Sequence, residues 1–137
     1  MFHPTPLSSE QDHNGAGVIW LKVSILYLLV GICIGIGMGV SQNFTLRPVH
    51  AHVNLLGWAT MAVAGLVYSV FPRAGASRLA KVHFWAQNIA LPGMMVSLAL
   101  VLQGNKGMVP LLAGSEILAS VGILAFALNI FINVKRS

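Results

Sequence analysis

Residues 49–71 read VHAHVNLLGWATMAVAGLVYSVF and contain no aspartate, glutamate, lysine or arginine. Crossing about 30 Å of hydrocarbon takes roughly 20 helical residues. The stretch therefore predicts a membrane-spanning helix. Two histidines and an asparagine, His50, His52 and Asn54, lie near its beginning. Because polar side chains inside a membrane segment are costly, these three are the first candidates for a functional site.

Three further apolar stretches of similar length, each with a single charged residue, lie at residues 18–40, 79–102 and 108–133. They are uninterrupted and lack strict alternation, which excludes transmembrane strands and leaves helices. We therefore predict an all-α membrane protein. Its membrane domain is a four-helix transmembrane bundle at residues 18–137, preceded by a polar N-terminal tail at residues 1–17.

Composition agrees with a membrane protein. The 137 residues are 56% hydrophobic and only 8% charged, with a single cysteine, Cys33, and therefore no disulfide framework. The net charge of +5 does not indicate nucleic-acid binding, because the basic residues lie mostly at the ends of apolar stretches.

The distribution of basic residues predicts the orientation of the bundle. With four spans, both termini share one side, and this side would carry Lys22, Arg73, Arg78, Lys81, Lys135 and Arg136, against Arg47 and Lys106 on the other. Positive residues favour the cytoplasmic side. We expect cytoplasmic termini in a bacterial inner membrane, with His50 and His52 on the periplasmic side.

The spacing of the histidines limits what they can bind together. Asn54 lies one helical turn after His50 on the same face, whereas His52 is about 200° round the helix from His50. Two histidines in this relation cannot ligate one metal from a regular helix. Either the first turn is distorted near Pro48, or the two serve different partners, which is the interpretation we favour.

The third and fourth spans carry further polar residues. One face of the third combines His83, Gln87, Ala90, Met94 and Ser97. We expect His83 near the cytoplasmic surface, roughly a bilayer from His50, either as a second heme or proton site or as a histidine hydrogen-bonded within the bundle. In the fourth span, a buried Glu116 is expected to be protonated or paired.

A glycine stripe in the first span, Gly31, Gly35 and Gly39, allows another backbone to approach closely. This close approach serves either an oligomer interface or packing within the bundle.

The sequence LRPVHAHVN at residues 46–54 resembles the start of the second membrane helix of subunit I in the heme-copper oxidase superfamily. The resemblance is closest to the branch of C-type oxygen reductases and nitric oxide reductases, where an Arg-Pro-x-His element supplies an axial histidine to a low-spin heme b. Phe84–Gln87 is similar to an aromatic-Trp-Gln stretch of the next helix in that branch. The resemblance covers about residues 44–93, and it implies heme b with His50 as an axial ligand.

If His50 binds heme, the chemistry of its neighbours suggests further roles. Arg47 would pair with a heme propionate, and Asn54 would order the ligand or a propionate. His52 would be the opposite axial ligand if the first turn opens, a ligand to the heme of another protomer, or a copper ligand. Met38 and Met108 lie at the same predicted depth, so His/Met ligation is a further alternative.

Family members have many more spans, and their remaining metal ligands come from later helices that this sequence does not contain. We therefore expect electron transfer or binding of a diatomic gas, nitric oxide or oxygen, without a complete heme-copper reaction centre. A homo-oligomer with an unidentified redox partner is expected.

Two other function classes remain open. One is a copper-binding or copper-handling membrane protein that uses His50 and His52 with Met38 or Met108. The other is a structural or assembly partner that packs through the glycine stripe.

Overall fold

The computed structural model describes residues 15–135. In that range the regular elements are all helical, and four helices are long and apolar enough to cross a membrane. We name them the first to fourth helices: Gly15–Ser41, Arg47–Val70, Arg78–Leu102 and Lys106–Asn133. The predicted all-α fold with four span-length helices is confirmed. Most of the predicted tail, at residues 1–14, lies outside the described residues, and Gly15–Gly17 already belong to the first helix.

Short linkers join the helices and carry local start and stop signals. A short helix at Pro72–Gly75 follows the second helix, and the Ser77 hydroxyl then caps the third by accepting a backbone N–H at 3.0 Å. Gly104, in the turn after the third helix, has a φ of +100°, which favours glycine. The fourth helix begins as a 3₁₀ turn, Lys106–Met108, and continues as the α-helix Val109–Asn133.

The second helix changes its winding immediately after the histidines. Arg47–His52 is α-helical, Val53–Ala59 is π-helical, and Thr60–Val70 is α-helical again. Both the backbone N–H and the hydroxyl of Thr60 bond to the carbonyl five residues earlier, that of Leu55. Such wide turns are rare and frequently lie at functional sites. The histidines themselves occupy a regular α-helical turn, so that turn is not distorted.

Glycines bring the first and second helices into close contact. A Cβ on Gly17 would lie 2.7 Å from the carbonyl oxygen of Gly65, and a Cβ on Gly57 would lie 2.6 Å from ring atoms of Tyr27. These distances leave no room for a side chain at either position. Small residues therefore set the separation of the two helices along much of their length.

The glycine stripe of the first helix belongs partly to this contact. A Cβ on Gly31 would collide with the Asn54 side chain, and one on Gly35 would lie 3.0 Å from Cε1 of His50. A Cβ on Gly39 would meet nothing within 4 Å. Of the two predicted uses of the stripe, packing within the bundle therefore applies at its first two members.

The third helix turns its predicted polar face inward. His83, Gln87, Ala90, Met94 and Ser97 are all buried, and none of them is more than 3% exposed. This part of the prediction is confirmed. The outer surfaces of the bundle carry large apolar side chains instead; Phe131 is 86% exposed and Val40 is 82% exposed. Such surfaces are compatible with lipid contact and suggest a multi-pass membrane protein.

Candidate functional site

His50 faces the first helix. Its Nδ1 atom lies 2.9 Å from the carbonyl oxygen of Gly31, and since a carbonyl only accepts, Nδ1 carries the proton. The imidazole rests in the space left by Gly35. This arrangement fixes both the ring orientation and the tautomer. The lone pair of Nε2 is then the position from which His50 can bind a metal.

Asn54 stabilises the helical turn that carries His50. Its Nδ2 donates to the backbone carbonyl of His50 at 2.8 Å, and its side chain fills the space beside Gly31. The 3.4 Å separation between Asn54 Nδ2 and His50 Nδ1 joins two donors and is not a hydrogen bond when Nδ1 is protonated. Asn54 therefore positions the His50 backbone and leaves Nε2 available.

His52 faces away from the first helix. Its Nδ1 donates to the carbonyl of Pro48 at 2.7 Å, so its Nε2 also has an available lone pair. The side chain is half-buried and lines a groove of about 520 Å³, together with Met94 of the third helix and Glu116 of the fourth. The structure therefore does not bring His50 and His52 to one centre.

Glu116 was expected to be buried, and the structure shows that this is wrong. The residue is exposed along the groove that His52 lines, because the fourth helix turns Ser115, Ala119 and Gly122 inward. Glu116 lies next to Ser115 and is about 100° round the helix from it. From the sequence, Met94 was predicted only to share a face of the third helix with His83, and no groove was predicted. Only the assembly of three helices places Met94 and Glu116 beside His52.

The other predicted site residues make contacts of their own or line other surfaces. The exposed Arg47 places its guanidinium 5.4 Å from the centre of the Phe44 ring. Met38 is buried and lines a different groove, of about 650 Å³, at the end of the first and third helices. Met108 is half-buried at the start of the fourth helix and lines neither groove.

His83 lies in the interior at a different level. Its ring is fully buried between Trp20 and Phe126, with ring centroids 4.3 Å and 4.9 Å away. The first helix contacts His83 at Trp20 and His50 at Gly31, eleven residues later, which corresponds to about 16 Å along the helix. On the second helix, Tyr68, which contacts His83, lies eighteen residues after His50, or about 27 Å. Both values are below the bilayer thickness of about 30 Å that was expected to separate the two histidines. The structure therefore places His50 and His83 in separate environments.

A hydrogen-bonded group surrounds His83. The Tyr68 hydroxyl lies 3.0 Å from His83 Nδ1, and Asn129 Nδ2 donates to the carbonyl of Ala74 at 3.0 Å and lies 3.5 Å from the Tyr68 hydroxyl. Asn133 in turn donates to Asn129. The sequence analysis did not connect these residues, because they come from separate helices and no local spacing relates them.

The described part of the chain contains no group of three or more His, Cys, Asp or Glu side chains arranged to hold a metal ion. Comparison of the chain with protein-family models, curated proteins and solved structures finds no match.

Proposed function

We propose that this chain is a membrane b-type heme protein in which His50 is an axial ligand. The observation that supports the proposal is the hydrogen bond from His50 Nδ1 to the carbonyl of Gly31, which leaves the Nε2 lone pair for iron. Histidine ligands of metals are commonly held this way, with the second ring nitrogen donating to a carbonyl or carboxylate. The LRPVHAHVN sequence assigns the same role to His50 by resemblance.

The available space must also suit a macrocycle. His50 lines neither of the two larger grooves, whereas His52 lines the groove of about 520 Å³ and has an equally available Nε2. The thioether of Met94 lies on the same groove. The donor chemistry of both histidines therefore fits heme iron, and the space favours His52. This makes His52 the competing ligand that the experiment has to separate from His50.

A bound heme would supply one-electron transfer or a coordination position for a small gas. The residues of this chain would hold and orient it. Gly31 fixes the imidazole tautomer through its carbonyl, Asn54 holds the turn, and the exposed Arg47 lies at the start of the helix, where it can pair with a propionate. Two axial protein ligands would favour electron transfer, and one would favour binding of nitric oxide or oxygen.

The test is heme content in protein purified from membranes. We expect a Soret band and a pyridine hemochrome typical of heme b, both largely lost in His50→Ala and retained in His52→Ala. Cys33→Ser is a suitable control because Cys33 is exposed on the first helix. Absence of heme from the wild type would reject the proposal. If His52→Ala loses heme and His50→Ala retains it, His52 and not His50 is the axial ligand.

The same preparations test the two alternative functions. Stoichiometric copper without heme would support a copper-handling protein, in which His50 and His52 would have to bind separate ions or ions shared with another copy. If neither heme nor copper co-purifies, and Gly35→Leu reduces function in cells more than His50→Ala, a structural role is favoured.

We further propose cytoplasmic termini in a bacterial inner membrane and a homo-oligomeric state. Thr45 and Ala76 are exposed in linkers at opposite ends of the bundle. In a Cys33→Ser background, a membrane-impermeant maleimide added to whole cells should label Thr45→Cys and not Ala76→Cys; the reverse pattern would invert the orientation. Light scattering of the purified protein measures the molecular mass of the particle and thus the number of chains in it. A monomer would contradict the proposed homo-oligomer.

A further inference from the structure

Two fully buried polar side chains face the interior between the third and fourth helices. His83 and Gln87 lie four residues apart on the third helix, and both are 0% exposed. Among residues 15–135, no protein atom pairs by hydrogen bond with His83 Nε2, Gln87 Nε2 or Gln87 Oε1. Leaving a buried polar group unpaired costs about 1–3 kcal/mol, so three such atoms together point to a ligand. We propose that His83 and Gln87 form a binding site for one internal water molecule.

The hydrogen bonds around His83 determine which of its nitrogens carries the proton. Asn129 Nδ2 is a donor and approaches the Tyr68 hydroxyl at 3.5 Å, so that hydroxyl accepts from Asn129. A buried hydroxyl also has one proton of its own to donate, and His83 Nδ1, 3.0 Å away, is the acceptor that the described residues offer it. Nδ1 therefore accepts, and a neutral His83 carries its proton on Nε2. The side of His83 that faces the proposed site is consequently a donor.

The three atoms match the bonding capacity of water. His83 Nε2 and Gln87 Nε2 each donate one hydrogen bond, and Gln87 Oε1 accepts one. A water molecule that accepts two bonds and donates one satisfies all three atoms, and three bonds are typical of buried waters. A metal cation does not fit, because two of the three atoms present hydrogens toward it.

The surroundings keep the site small and closed. A Cβ on Gly122 would lie 3.1 Å from Gln87 Oε1, so the fourth helix approaches the amide with backbone alone. The rings of Trp20 and Phe126 pack against the His83 ring, with centroids 4.3 Å and 4.9 Å away. The water would extend a hydrogen-bonded series that runs from Asn133 through Asn129 and Tyr68 to His83.

The stability of Gln87→Met tests the site, because the change in stability should have opposite signs depending on whether a water molecule is bound there. Replacing an unpaired amide by an apolar side chain of similar size removes two unsatisfied atoms and stabilises the protein. If the amide holds a water, the replacement removes two of the three hydrogen bonds of that water. The water is then lost, His83 Nε2–H is left unpaired, and the protein is destabilised. Leu91→Met is the matched control, since Leu91 is also 0% exposed on the third helix.

We expect thermal unfolding of the full chain in detergent micelles to show a lower midpoint for Gln87→Met than for Leu91→Met. An equal or higher midpoint would overturn the proposal. A second measurement uses the unaltered protein, so it does not depend on the variants folding. NMR of a ¹⁵N-histidine-labelled sample should show the His83 proton on Nε2 and magnetisation transfer to it from water. A proton on Nδ1, or no transfer at Nε2, would also overturn the proposal.

Discussion

A Cβ on Gly35 would lie 3.0 Å from Cε1 of His50, so the imidazole occupies space that any other residue at position 35 would fill. The same imidazole is held by the carbonyl of Gly31, one turn earlier on the first helix. The glycines therefore do more than allow two helices to approach. They form the surface on which the candidate heme ligand is seated.

The first prediction concerns the packing of His50 against Gly35. Gly35→Ala should displace the His50 ring by a few tenths of an ångström, because the added Cβ would lie 3.0 Å from Cε1. Overpacking typically costs about 1–3 kcal/mol and opposes the gain of about 1 kcal/mol in helix propensity, so we expect a lower unfolding midpoint than in the control. Gly39→Ala is the matched control, because its Cβ would meet nothing within 4 Å. The midpoint of thermal unfolding and the heme content should both be lower in Gly35→Ala and unchanged or higher in Gly39→Ala. Equal behaviour of the two variants would show that Gly35 does not support His50.

The second prediction concerns the Tyr68 hydroxyl. Tyr68→Phe removes the group that lies 3.0 Å from His83 Nδ1, and it leaves a fully buried ring nitrogen without that partner. The expected loss is about 1–3 kcal/mol of unfolding free energy. Tyr27→Phe, at a half-buried tyrosine on the first helix, provides the comparison. A neutral Tyr68→Phe would indicate that His83 does not depend on the hydroxyl.

The third prediction concerns close packing within the π-helical segment. Gly57→Ala would place a Cβ 2.6 Å from the Tyr27 ring and should push the first and second helices apart. We expect a lower unfolding midpoint. Gly37→Ala, on the open side of the first helix, should instead be neutral or stabilising, because alanine is the better helix former by about 1 kcal/mol. A tolerated Gly57→Ala would contradict the packing described above.

The fourth prediction concerns the link between the fourth helix and the short helix that follows the second. Asn129→Leu removes the hydrogen bond from Nδ2 to the carbonyl of Ala74 and leaves that buried carbonyl without this donor. The cost should be about 1–3 kcal/mol. Ser120→Ala, which removes an exposed hydroxyl bonded within its own helix, is the control. Hydrogen exchange at Pro72–Gly75 should rise only in Asn129→Leu.

Much of the fold followed from local patterns. Apolar stretches of span length predicted the four helices, and steps of three and four residues predicted that the residues from His83 to Ser97 share one face of the third helix, which the structure shows to be buried. The 200° offset between His50 and His52 predicted that the two would face different sides, and the structure places them against different helices. These predictions succeeded because helix length and residue angle depend on the chain within a few turns.

The exposure of Glu116 could not be predicted in this way. A carboxylate inside an apolar stretch suggested an inward orientation, yet the neighbouring small residues Ser115 and Ala119 form the contact face instead. The choice depends on which face of the fourth helix fits most closely against the third. That fit is a property of two surfaces together, so neither stretch of sequence contains it.

By itself, the sequence determined that the chain forms four span-length helices and which residues share each helical face. Tertiary structure alone decided that Gly31 and Gly35 hold His50, that Met94 and Glu116 lie beside His52, and that Tyr68 meets His83. Helix formation depends on backbone hydrogen bonds and hydrophobicity along a segment. The partners of a polar side chain depend on how closely neighbouring helices approach, and at Gly17, Gly57 and Gly122 that distance is set by the absence of a side chain.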